Sequence, residues 1–236
     1  MFRIFLVCVF LGLFSGNETL AQTSKASAPN TASDSKALFF DQLTRQPDFM
    51  GEMTVTVSGS TVKQTFVRKG EKVRCEFRPF ESASDATEAM RGYTVVVISI
   101  PGKPVLVIDP QRNRFTEFED QEPFPIMDSA KLIEGFVNLR DESNIVPLGD
   151  TIINGYAARK VKMVIAGEKA GVFFYFAKDH QNLLVKMELE GQQSALGFEL
   201  TGVSLDVADS LFEPPRYAKH ESSEEFLAGM KEKFAK

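Results

Sequence analysis

The sequence predicts a mainly β chain of the α+β class, built on one large antiparallel sheet with few helices. Three observations carry this. Residues 92–118 run through three β-branched or aromatic stretches separated by turn residues, the pattern of an antiparallel meander. Short strands of similar style occur before and after it. Phenylalanine is abundant, at 21 residues, while tryptophan is absent.

In chain order, Met-Phe-Arg leads into an apolar run from Ile4 to Phe14 that stops at Ser15-Gly16-Asn17. A basic start, a run too short to span a bilayer and a small residue at Ala21 give the expectation of a signal peptide over residues 1–21. Export across a membrane follows from it, with no integral membrane segment after cleavage. Cys8 lies inside that run, which leaves Cys75 as the lone cysteine, so no intramolecular disulfide forms. Alternating with Val73 and Phe77, Cys75 is read as a small buried hydrophobe. The net charge of -5 is unchanged once Arg3 and Glu18 are removed. A mildly acidic chain of this kind is a poor fit to nucleic acid or to anionic membrane surfaces.

Residues 22–36 are polar and small and form the expected disordered linker. Asp34 or Ser35 is then positioned to cap a helix carrying Ala37, Leu38, Phe39, Phe40 and Leu43, which Pro47 ends. The main domain is expected over residues 37–218. Met53, Val55 and Val57 alternate with polar residues, and Ser58-Gly59-Ser60 turns the chain. Val62, Gln64 and Phe66 share one side of the returning strand. After Lys69-Gly70-Glu71-Lys72, Val73, Cys75 and Phe77 face inward. One face of these strands is dry and one wet. Residues 80–91 break the pattern and are read as a polar loop or short helix, either a cover over the sheet or a tolerated insertion.

In the meander the alternation stops. Val95 to Ile98 and Val105 to Ile108 are apolar at every position, so both faces need cover or border an apolar cavity. Asp128 to Asn138 reads as a helix with Leu132, Ile133, Phe136 and Val137 on one stripe, suited to lying over those strands. Beyond it, Asn154-Gly155 marks a hairpin. Val172 to Ala177 is again apolar on both sides, and Lys178 to Asn182 turns the chain. Leu196, Phe198 and Leu200 lie on the opposite parity to Val203, Leu205 and Val207, so Gly202 is expected to be a β-bulge. Ser210 to Pro215 closes the sheet. Residues 219–236 form a C-terminal amphipathic helix, with Ser222 and Glu225 at capping-box spacing and Phe226, Leu227, Met230 and Phe234 on its stripe.

Two segments resemble a known group. Ser99-Ile-Pro-Gly102-Lys103-Pro-Val-Leu-Val-Ile-Asp109-Pro110 is similar to the strand, Gly-Lys turn, apolar strand and proline of the periplasmic lipoprotein-carrier superfamily of LolA, LolB and their relatives. Leu211-Phe212-Glu213-Pro214-Pro215 resembles the Phe-x-Pro-Pro with which the sheet ends there. The resemblance spans Leu38 to Tyr217. It implies an unclosed half-barrel of about ten or eleven antiparallel strands, its concave face covered by helices around a hydrophobic cavity for acyl chains. The chain departs from that pattern in having no tryptophan and in carrying Arg68-Lys69-Gly70 where the carriers have Arg-Pro.

No residue set calls for catalysis, so the chain is read as a non-enzyme without cofactor or metal. Its two histidines, His180 and His220, are far apart in sequence and are read as solvent-facing; no serine sits in a Gly-x-Ser-x-Gly elbow. The acidic run Glu117 to Glu122 lacks the interleaved ligands of a calcium loop and is read as a solvated edge. The expected function is a periplasmic carrier for a lipid or lipidated protein. Val97, Ile98, Leu106, Ile108, Phe115, Phe136, Phe174 and Phe176 are the candidate lining, and a filled core is the competing reading of the same residues. The alternative is a non-catalytic protein-binding or envelope-sensor module, with a lipoprotein or another envelope protein as partner, using the C-terminal helix or an exposed strand edge.

Overall fold

The computed structural model describes residues 31–57, 60–78, 92–119, 135–168, 170–191 and 196–234. The signal peptide, most of the linker, the turn at Ser58-Gly59, the 80–91 segment, the end of the acidic run and the start of the 128–138 helix lie outside the described residues.

A 12-stranded sheet dominates the molecule. After α1 (Thr31–Thr44) come β1 (Phe49–Val57), β2 (Ser60–Lys69), β3 (Lys72–Phe77), β4 (Val95–Ser99), β5 (Val105–Asp109) and β6 (Arg114–Phe118). Next in the chain are β7 (Ser143–Ile153), β8 (Tyr156–Ile165), β9 (Gly171–Ala177), β10 (Leu183–Leu189) and β11 (Leu196–Ser204). A 3-10 turn (Asp209–Phe212), the short β12 (Lys219–His220) and α2 (Ser223–Phe234) end the chain. The spatial order is β12-β6-β5-β4-β3-β2-β1-β11-β10-β9-β8-β7, so the two ends never pair and the half-barrel is unclosed. All pairings are antiparallel except that of β12 with β6, which is parallel and is absent from the expected topology.

Local chemistry accounts for the joints. Asn154 and Gly155 take φ of 52° and 83°, the positive pair that a two-residue hairpin needs to match strand twist. Gly202 sits at φ 60°, and there the β1–β11 register jumps between Met50 and Glu52. The bulge re-aims Val203 and the residues after it, as the change of parity requires. Helix α1 begins at Thr31, ahead of the expected caps at Asp34 and Ser35, and takes in residues assigned to the linker. It ends where Thr44 Oγ1 donates to the Phe40 carbonyl at 3.0 Å and Gln46 Nε2 to the Gln42 carbonyl at 2.5 Å, with Pro47 beyond. At α2 the capping box is formed: Glu225 N–H donates to Ser222 Oγ at 3.3 Å and Ser222 N–H to Glu225 Oε2 at 3.1 Å.

Register defines the faces. Val161 pairs with Phe174, Phe174 with Met187, Met187 with Phe198, Phe198 with Val55 and Val55 with Val62. Two steps along β2, Phe66 continues the same face through Cys75 and Val97 to Val107. This face carries α1 at one end, over Phe174 and Phe176, and α2 at the other, where Phe226 packs on Val95, Val97, Val105 and Val107. Between them lies a core of Phe49, Met53, Val55, Phe66, Val73, Cys75 and Leu200. The opposite face differs along its length. Across β8 to β2 it carries Lys160, Tyr175, Lys186, Glu199, Thr54 and Lys63 side by side, a mostly polar row in which Tyr175 is itself buried. Under β4 and β5 it is apolar, and Val207, Leu211 and Phe212 cover it.

The doubly apolar strands are therefore clad by two elements, α2 on one side and the 3-10 turn on the other. Of the helix expected over 128–138 the structure describes residues 135–138, and there Phe136 packs against β9. Among the described residues no helix is long and apolar enough to cross a membrane.

Candidate functional site

Among the described residues, the helix-bearing face of β8 to β10 gathers a cluster of five phenylalanines, Phe39, Phe40, Phe136, Phe174 and Phe176. Strand β9 offers Phe174 and Phe176 on that face, because alternation sends Phe173 and Tyr175 to the other. Helix α1 lays Phe39, Phe40 and Leu43 on them, residues spaced to share one side of a helix. Phe136 closes a third side. The rings meet edge to face: Phe39 lies 5.1 Å from Phe174 and 5.9 Å from Phe176, Phe40 5.0 Å from Phe39, and Phe136 5.2 Å from Phe174. Val161, Met163, Val172, Leu184 and Met187 complete the apolar surround.

Side-chain contacts, rather than strand pairing, hold α1 in place. Gln46 Oε1 accepts the Leu184 N–H at 2.7 Å, a donor freed by the β10 irregularity between Leu184 and Lys186. Arg159 donates from Nη2 to Gln42 Oε1 and spreads its guanidinium over Phe176, 5.5 Å from the ring centre. Burial pulls the Arg159 pKa down, opposed by the charge of Asp150 across the β7–β8 register. Arg140 stacks over Phe40 at 5.5 Å.

The candidate lining residues fall into three groups. Phe136, Phe174 and Phe176 come together under α1. Val97 lies on the same face but under α2. Ile98, Leu106, Ile108 and Phe115 are on the opposite face, packed with Val207, Leu211 and Phe212. One parity of β4 thus faces each cover, which the pleat alone left open. Sequence reading did not place Phe39, Phe40, Gln42, Arg140 or Arg159 at the site. The α1 stripe was visible, but nothing local says which strand it meets.

The other singled-out residues have structural surroundings. Cys75 is buried, at 2% exposure. Arg68 donates from Nε to the Gly70 carbonyl at 3.0 Å and so braces the β2–β3 turn, with its pKa lowered by burial. His180 meets Tyr156 edge to face with ring centres 4.9 Å apart, and His220 meets Phe115 in the same way at 5.1 Å.

No family model and no curated protein matches the chain. Solved structures do. MucB is similar at 15% identity and TM-score 0.49, over 79% of this chain and 63% of that one; Pseudomonas aeruginosa MucA/MucB gives 14% and 0.48, over 79% and 62%. This chain therefore spans less than two thirds of MucB. LprF from Mycobacterium bovis is similar at 12% identity and TM-score 0.47, over 79% of this chain and 98% of its own. A putative outer membrane lipoprotein-sorting protein domain from Vibrio parahaemolyticus matches at 12% identity and TM-score 0.31, over 78% and 97%. The likeness is one of fold.

Proposed function

We propose that this chain is a non-catalytic periplasmic carrier that holds an acyl chain, of a lipid or a lipidated protein, between α1 and β8 to β10. The carrying observation is the way that site is closed. Its apolar wall of Phe174, Phe176, Val161 and Met163 is covered by a helix attached through side chains, not by further strands. Parting α1 from the sheet exposes a slot lined by aromatic rings and methionines, groups that adapt to flexible hydrocarbon. The test is native mass spectrometry with organic extraction of protein taken from its own periplasm. Recovered acyl adducts support the reading. Protein that comes out empty, together with a Phe136→Asp variant that folds normally, would overturn it, since Phe136 would then cover nothing apolar.

A second reading, a protein-binding module, draws on a separate feature. Strand β7 ends the sheet and leaves Val146, Leu148 and Ile152 exposed, Ile152 by 75%. Edge strands of this kind accept an added strand from a partner. Ile152→Lys should abolish capture of an envelope partner without altering lipid content. The C-terminal helix is the weaker candidate surface, because Phe226 is fully buried against the sheet.

A further inference from the structure

The geometry points to an anion-recognition site at the edge of the aromatic cluster: Arg159, assisted by Arg140, takes the carboxylate or phosphate of an amphiphile whose chain lies under α1. This rests on the carrier reading and names the ligand class within it. Three observations converge. Arg159 Nε is the buried side-chain polar atom left without a hydrogen-bond partner among the described residues. A buried donor in that state is costly, and an acceptor arriving there relieves the cost. Second, Arg159 makes no ion pair among the described residues. Its register neighbour Asp150 is already engaged by Lys178 at 2.7 Å. Third, the two guanidiniums stand on rings of one cluster. Arg159 lies over Phe176 and Arg140 over Phe40, and Phe39 links those rings at 5.9 Å and 5.0 Å.

The combination fits an anionic head with an apolar tail. A planar guanidinium presents paired N–H donors matched to carboxylate or phosphate oxygens. Nη2 of Arg159 now donates to the neutral Gln42 amide, a contact that also ties α1 to β8. An anionic oxygen is the stronger acceptor, so a head group exchanging with Gln42 would engage Nε and Nη2 together while α1 is released. Arg140, exposed at the cluster's other side, adds long-range attraction at modest strength.

The experiment compares three ligands with one identical oleoyl chain: monoolein (neutral), oleate (carboxylate) and oleoyl lysophosphatidate (phosphate). Binding to the purified full chain is measured by calorimetry for the wild type, Arg159→Gln, Arg159→Lys and Gln42→Ala. The expected result is a preference of about tenfold or more for at least one anionic ligand over monoolein, as one charge-assisted contact supplies. Arg159→Gln should erase that preference, so that within the variant the anionic ligands and monoolein bind with equal affinity. Arg159→Lys should keep part of it, and Gln42→Ala should keep all of it. The ranking of oleate against lysophosphatidate tells carboxylate from phosphate. Equal affinity for all three, or an Arg159→Gln variant that keeps the preference, overturns the anion site while the carrier reading stands. Loss of binding to all three ligands, monoolein included, overturns both.

Discussion

Removing one ring tests whether the aromatic cluster under α1 is a packed unit. Phe174 is fully buried and contacts both Phe39 and Phe136 edge to face, at 5.1 Å and 5.2 Å. Phe174→Ala deletes a whole ring and leaves a cavity, at a cost of about 3–5 kcal/mol. Each aromatic pair contributes about 0.5–1.5 kcal/mol beyond its buried area. A domain of this length holds about 5–15 kcal/mol in total, so the loss is a large share of its stability. Urea unfolding followed by circular dichroism should show a lower midpoint with an unchanged slope. The melting temperature should fall by about 2–4 °C for each kcal/mol lost. A double-mutant cycle with Phe39→Ala isolates the contact between helix and strand, with an expected coupling of about 1 kcal/mol. A loss below about 1 kcal/mol, or zero coupling, would refute the packing argument. In that case α1 would not be seated on β9, and the site would have no cover to open.

Other consequences can be measured directly. Arg112 Nη2 donates to both oxygens of Glu221, at 3.2 Å and 2.9 Å, and Nη1 to the Phe226 carbonyl at 3.3 Å, so Arg112→Met should loosen α2. Amide exchange should rise across residues 223–234 while β8 to β10 stay protected. Gly202→Ala places a side chain at φ 60° with open space around it, so its cost is backbone strain of about 1–2 kcal/mol, read as a urea midpoint shift with no change in ligand content. Asp209 is held at about 2, below the ordinary 3.8, first by hydrogen bonds from Lys69 and then Lys72, and by their charge. A depressed carboxylate stabilises the fold above its unfolded value, and that stability is lost as pH falls from about 3.8 through about 2. Carbon-detected NMR titration should find this low value in the wild type and a rise toward the ordinary one in Lys69→Met/Lys72→Met.

Much of the fold was legible because it is local. Strict alternation in β1, β2 and β3 identified which of Met53, Phe66, Val73 and Cys75 face inward, and the register pairs Phe66 with Cys75 as that pattern demands. The positive-φ demands of Asn154-Gly155 and Gly202 are written in residue type, so the hairpin and the bulge could be placed. The site was only partly legible. Phe136, Phe174 and Phe176 were named as neighbours of one ligand and do meet, yet Ile98, Leu106, Ile108 and Phe115 turned to the other face. A strand that is apolar on both sides has no parity signal to say which cover each residue takes.

The chain's residues alone determined that it would build a large, mostly antiparallel sheet, where it would turn, and that several strands would be dry on both sides. Those properties arise from steric and solvation preferences acting within a few residues. Only the tertiary structure decided what does the covering. It set α1 on β9, α2 on one side of β4 and β5, and the 3-10 turn on the other. It also brought Arg159 and Arg140 onto rings of a single cluster. An amphipathic stripe states that a face must be buried, but its partner is chosen by complementary shape across many residues of intervening chain, and no local pattern records that choice.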